Sequence, residues 1–96
     1  MRPSATIEQN LDEVRAILAR YPVKNARLFG SVSRGDDVEG SDVDILVDPT
    51  DATTLMDLAG LKLELQELLG VAVDIATPAA LTHRIAENVA DDLKPL

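Results

Sequence analysis

Cysteine is absent from this chain, which excludes a disulfide framework, a thiolate zinc site and a cysteine nucleophile. Aromatic residues are nearly absent: Tyr21 and Phe29 are the whole set, and there is no tryptophan. A protein that grips single strands by stacking bases needs more platforms than two. Basic residues are in the minority, 9 Lys and Arg against 17 Asp and Glu, for a net charge of −8. Direct nucleic-acid binding, which needs cations to neutralise phosphates, is therefore not expected. No apolar run approaches the length of a membrane span, and the first residues lack the apolar core of a signal peptide. Neither membrane insertion nor export is expected, and the cytoplasm is the expected location. The single histidine, His83, has no serine or cysteine placed to suggest a catalytic partnership.

What is present suits one folded unit. Ninety-six residues, 46% of them apolar, can bury one core and not two, so residues 1–96 are read as a single domain. Thr6 with Gln9 resembles a capping box. Ile7, Leu11, Val14, Ile17 and Leu18 then recur at helical spacing, predicting one helix of about four turns that runs to Tyr21-Pro22. A short strand should end near Phe29, followed by a turn at Gly30-Ser31 and a brief helical stretch. Asp36 to Gly40 reads as an exposed loop, and Ser41 as the residue that shapes the turn before the next strand. That strand spans Asp42 to Val47, with Val43, Ile45 and Val47 on one face and Asp42, Asp44 and Leu46 on the other. A second long helix follows Asp51–Thr54. Its stripe is Leu55, Leu58, Leu61, Leu65, Leu68 and Leu69, and Gly70 stands where a C-terminal cap belongs. Val71 to Ile75 is the third strand. Thr77-Pro78 opens a final helix with Leu81, Ile85 and Val89 inward. The pattern gives an α/β (α+β) fold, a small sheet backed by helices, with the strand order left open.

The chemistry concentrates between residues 30 and 44. Gly30-Ser31-Val32-Ser33-Arg34-Gly35 follows the first strand, and backbone N–H groups where a strand turns into a helix form a natural phosphate seat. Asp42 and Asp44 lie two residues apart, on one side of a strand and roughly 6–7 Å apart at Cα, within reach of one metal site. Like charges held so close repel unless something positive sits between them. Together the two features read as magnesium–nucleotide chemistry. In the third strand Asp74 alternates away from the aliphatic face between two alanines. An isolated aspartate there can also be merely solvated. Asp36, Asp37, Glu39, Asp48 and Asp51 are expected to be solvated loop residues rather than further ligands. Arg34 has two readings, a cation approaching the phosphates or a surface arginine balancing Asp36 and Asp37.

The spacing G-S-x-x-R-G-x-x-x-x-x-S-D-x-D resembles that of the nucleotidyltransferases of the DNA polymerase β superfamily, and most closely their smallest branch, the minimal nucleotidyltransferases. The resemblance implies the mixed sheet of the polymerase β palm, with the active site on its open face. It implies Asp42, Asp44 and Asp74 as the catalytic carboxylates and the ligands of two Mg²⁺ ions, and Gly30, Ser31 and Arg34 as contacts of the nucleotide. Attack at the α-phosphorus of ATP, transfer of AMP and release of pyrophosphate follow from the same resemblance. So does the partner: a HEPN-type ribonuclease toxin that completes the cleft in a hetero-oligomer and is adenylylated on tyrosine, the chain acting as its antitoxin. Two other classes stay open, an antitoxin that neutralises by contact alone and an enzyme that modifies a small molecule such as an aminoglycoside.

Overall fold

The computed structural model describes residues 1–80 and 93–96. The predicted first helix is two: α1, Pro3–Gln9, and α2, Leu11–Ala19. The break is at Asn10, where φ is −118° and ψ 21°. Its side-chain Nδ2 donates to Thr6 O at 2.8 Å, duplicating the backbone bond made there by its own N–H. Asparagine competes for backbone partners in this way, and that interrupts helices. Thr6 consequently caps nothing. The helix starts earlier, with Pro3 in its first turn, and the Thr6 hydroxyl turns back to Arg2 O.

Five further elements follow in the expected order: β1 (Val23–Phe29), α3 (Ser31–Arg34), β2 (Val43–Pro49), α4 (Leu55–Leu69) and β3 (Val73–Ala76). Helix α4 carries a reciprocal capping box, in which Thr54 N–H donates to Asp57 at 2.9 Å and Asp57 N–H donates to Thr54 Oγ1 at 3.1 Å. Gly70 ends it in the left-handed conformation, φ 72°, as a C-terminal cap does. The chain then adds a strand that the pattern did not announce, β4 (Lys94–Pro95). Two residues are too few to show alternation, and proline is tolerated in a sheet only at an edge. The final helix expected over Leu81, Ile85 and Val89, with His83, lies outside the described residues. Its opening, Pro78–Ala80, forms a 3-10 turn.

The sheet is mixed, in the order β3-β2-β1-β4. Strands β1 and β2 are antiparallel, as are β1 and β4, while β2 and β3 run parallel with Asp44 opposite Asp74. Helices α1, α2 and α4 cover one face. There Leu28, Val43, Ile45, Val47 and Val73 pack against Ile7, Val14, Leu18, Leu61, Leu65 and Leu69. The alternation read from the sequence thus sends the aliphatic residues to the core and turns Asp44 and Asp74 to the opposite face. Leu55, expected in the α4 stripe, is instead 85% exposed; it is the first residue of the helix.

Helices α2 and α4 meet at one polar junction. The Tyr21 hydroxyl donates to Glu64, and Arg20 pairs with the same carboxylate at 2.6 Å. A Cβ on Gly60 would stand 3.1 Å from the Tyr21 oxygen, so the glycine opens the space in which the phenol lies. Among the described residues no helix is long and apolar enough to cross a membrane.

Candidate active site

Strand β1 ends at Phe29, opposite Asp44 of β2. Gly30 then turns the chain with φ 76° and ψ −157°, a region open to glycine and costly to any residue with a side chain. The space is also taken: a Cβ at Gly30 would stand 2.6 Å from Asp44 Oδ2. The glycine is therefore fixed twice, by its torsion and by the carboxylate against it. Helix α3 begins at Ser31, and the Gly30 carbonyl accepts from Arg34 N–H and Ser33 Oγ. The N–H groups of Ser31 and its neighbour, which a helix leaves without partners inside itself, start beside Asp44.

Asp44 is half-buried, and its pKa is raised above the ordinary carboxylate range. Burial is the largest cause, then the charge of Asp74, then that of Asp42. Asp74 reaches it across the parallel register, in which neighbouring strands lie about 4.8 Å apart. Asp42 is exposed and precedes the strand rather than opening it. The structure therefore brings Gly30, Ser31, Asp42, Asp44 and Asp74 to one place, with the three charges felt at Asp44. Among the described residues, no group of three or more acidic, histidine or cysteine side chains is arranged to hold a metal ion as it stands.

Arg34 pairs through its Nε with Asp36 Oδ2 at 3.1 Å, both side chains substantially exposed. It lines a hollow with Arg2, Ser4, Glu8 and Lys94, a lining that contains none of the three aspartates. Two of the other acidic residues depart from expectation. Asp48 belongs to β2, on the face of Asp44, so it is not a loop residue; Arg27 neutralises it at 2.9 Å, and Asn25 Nδ2 adds a bond at 3.1 Å. Those bonds, Arg27's first, hold its pKa below the ordinary range. Asn25 sits at φ 53° in a bulge that lets Arg27 reach across. Asp37, also expected in solvent, is 2% exposed. Nothing in the local sequence signals its burial, because the group it meets, the N–H of Ser4, lies 33 residues away. Asp36, Glu39 and Asp51 are exposed, as expected.

Asp74 also lines a groove of about 330 Å³ where α4 meets β3, with Leu55, Leu58, Ala59, Lys62, Ile75 and Thr77.

Known proteins share this sequence and fold. Residues 11–95 match the family described as the nucleotidyltransferase domain. MJ0435 of Methanocaldococcus jannaschii, named as a candidate protein adenylyltransferase, is 43% identical over 87 residues, covering 86% of this chain and 94% of that protein. The protein adenylyltransferase MntA of Thermococcus cleftensis is 37% identical over 87 residues, covering 82% and 88%. A solved structure of a candidate minimal nucleotidyltransferase superposes with a TM-score of 0.84 at 41% identity, covering 97% of this chain and 95% of that one. A toxin–antitoxin complex with AMP-PNP shares the fold, with a TM-score of 0.76 at 24% identity over 90% of this chain and 71% of that one. With its glycine–serine turn seated against Asp44 and Asp74 in register beside it, the chain belongs to the nucleotidyltransferase domain family, in its minimal branch, and is an enzyme that transfers nucleotides.

Proposed function

We propose that this enzyme transfers AMP from ATP to a tyrosine hydroxyl of a cognate HEPN-type toxin in the cytoplasm, and so serves as the antitoxin of the pair. The observation that carries the reading is Asp44: one of its oxygens lies against the glycine that opens α3, and two further carboxylates raise its pKa. A site that concentrates like charge at a phosphate seat is suited to a cation–polyphosphate substrate and to little else. The relatives named protein adenylyltransferase support AMP as the group moved and protein as its acceptor. A HEPN toxin of Shewanella oneidensis, described as tri-AMPylated, is bound to an antitoxin that shares this fold, which supports the partner.

In this reading the N–H groups at Gly30 and Ser31, with the Ser31 hydroxyl, hold the β- and γ-phosphates. The donor set fits magnesium, a hard cation that typically uses one or two carboxylates together with substrate phosphates rather than a closed protein cage. Asp42 and Asp44 would hold it with Asp74 completing the set, and the metal supplies positive charge that steadies the entering and leaving oxygens. Asp74, exposed along its groove, receives the acceptor. Its carboxylate takes the hydroxyl proton as the oxygen attacks the α-phosphorus, the new P–O bond forms, and the bond to pyrophosphate breaks.

The test is transfer of label from ATP, with Mg²⁺, to the cognate toxin. The toxin should carry AMP on tyrosine, and Asp74→Asn should bind ATP and toxin but leave the toxin unlabelled. Labelling of small hydroxyl compounds with no label on protein would overturn the protein acceptor. Full protection of cells by Asp74→Asn would show that neutralisation needs contact and not chemistry.

A further inference from the structure

We infer that Asp37 is a positioning residue of the nucleotide site: it anchors the linker between the glycine–serine turn and the two aspartates of β2, and so fixes where Asp42 stands. The inference rests on the reading of residues 30–44 as the nucleotide site, and goes beyond it by assigning a role to a carboxylate outside the motif.

The linker is residues 35–41, and it is pinned at three places. Asp36 N–H donates to Ser31 O at 2.9 Å, which ties its first half to α3. Val38 and Ser41 close a turn on each other: Val38 N–H donates to Ser41 Oγ at 2.9 Å, and Ser41 N–H donates to Val38 O at 3.0 Å. Between these two pins stands Asp37, whose Oδ2 accepts the N–H of Ser4 at 2.9 Å. Of the three, this bond alone reaches beyond the 31–42 segment, to the first turn of α1. Arg2 adds a weaker strand to the same tie, donating to Gly35 O at 3.4 Å. After the Val38–Ser41 turn only Asp42 remains before the sheet begins, where Val43 N–H donates to Ala72 O at 2.9 Å. Asp42 is thus held between a loop pinned by Asp37 and the first rung of the β2–β3 ladder.

Asp37 is the single charged residue found buried among the described residues, and its Oδ1 has no hydrogen-bond partner there. An incompletely paired buried carboxylate is costly, and it contributes no apolar surface in return. Helix α1 has no side-chain cap of its own at Arg2, so the carboxylate also satisfies a helix N–H that would otherwise lack a partner. Capping alone could be met by a residue at the N-cap position itself. Placing the cap in the linker makes the same bond hold the loop.

The experiment compares Asp37→Ala and Asp37→Asn with the wild-type chain, first without nucleotide. Amide hydrogen exchange should quicken about ten-fold or more at residues 35–42 and at Val43 N–H in Asp37→Ala, with the N–H groups of α4 unchanged. Asp37→Asn, which keeps an acceptor for Ser4, should lie between. Nucleotide transfer should then fall about 10–100-fold in Asp37→Ala at a temperature where it is fully folded, as expected when a reacting group shifts by about an ångström, and Asp37→Asn should recover part of the loss. Unchanged exchange at 35–43 overturns the tie, whatever the activity. A loosened linker with wild-type kcat and KM overturns the positioning role and leaves only a helix cap. A wild-type chain that transfers no nucleotide overturns the reading of the site instead, while the exchange result still decides whether Asp37 holds Asp42.

Discussion

The linker around Asp37 and the strand entry around Asp44 handle the same functional group in opposite ways. Burial alone pushes both carboxyl pKa values up. At Asp37 it is outweighed by the hydrogen bond from Ser4 and by the charge of Arg2, so the pKa falls below the ordinary range. At Asp44 nothing opposes burial, and Asp74 and Asp42 push in the same direction, so the pKa rises. One carboxylate is provided with donors and serves the fold. The other is surrounded by its own kind. The two carboxyl groups shift in opposite directions because of their neighbours and not because of their depth.

Removing charge from the second region should have the largest effect. Asp42→Asn with Asp44→Asn, or Asp74→Asn alone, should lower transfer on the order of 10²–10⁴-fold, measured as label incorporated per unit time. Loss of less than about ten-fold for Asp74→Asn would return it to the solvated face of the sheet. Gly30→Ala should come next. It must accept both a positive φ and a Cβ 2.6 Å from Asp44 Oδ2, a cost of about 1–3 kcal/mol from the torsion alone, read as a lower denaturation midpoint along with reduced nucleotide binding.

The comparison sharpens further in the absence of metal and nucleotide, where the two carboxylates should differ in sign. A raised folded-state pKa means that the penalty at Asp44 is absent below the unfolded value and grows as pH rises through the folded one. Asp44→Asn should therefore raise the denaturation midpoint at neutral pH, while abolishing the stabilisation by Mg²⁺ and ATP that mass action gives the wild type. Asp37 runs the other way: its contribution is complete above the ordinary carboxylate pKa and is lost as pH falls from there through its lower folded value. Melting curves from pH 5 downwards should show an acid loss that Asp37→Asn reduces. Equal acid limbs in the two proteins would contradict a depressed pKa at Asp37. The smallest effect belongs to Arg34→Ala, which removes an exposed pair with Asp36. It should cost roughly 0.2–1 kcal/mol, diminishing with salt, with little change in transfer.

Where the determinants are local, the sequence was legible. Helix α4 and its caps follow from Thr54, the leucine spacing and Gly70, and the alternation in Val43–Val47 correctly separated the core face from the face of Asp44. The proximity of Gly30 to Asp44 was implicit in the motif, but the steric reason for the glycine appears only when β1 and β2 pair. What depends on distant contact was not legible. The break at Asn10 turns on one side-chain bond, β4 is two residues long, and the burial of Asp37 is decided by the start of α1. Asp48 could have been placed by parity alone, since it follows Asp44 at an even interval in one strand. Its neutralisation could not, because the bulge at Asn25 that brings Arg27 to it carries no clear signal in the sequence.

The junction of α2 and α4 has a practical consequence. Tyr21 is the only tyrosine, no tryptophan competes with it, and its phenol donates to Glu64 in the space left by Gly60. That hydrogen bond, then burial and the charge of Glu64, raise its pKa above the ordinary value for a phenol. The chain therefore carries a single intrinsic ultraviolet reporter on the helical side of the sheet, opposite the carboxylates. Its absorbance should follow the docking of two helices without interference from other phenols. Ionisation near the ordinary phenol pKa, at about pH 10, would mark molecules in which that junction has opened.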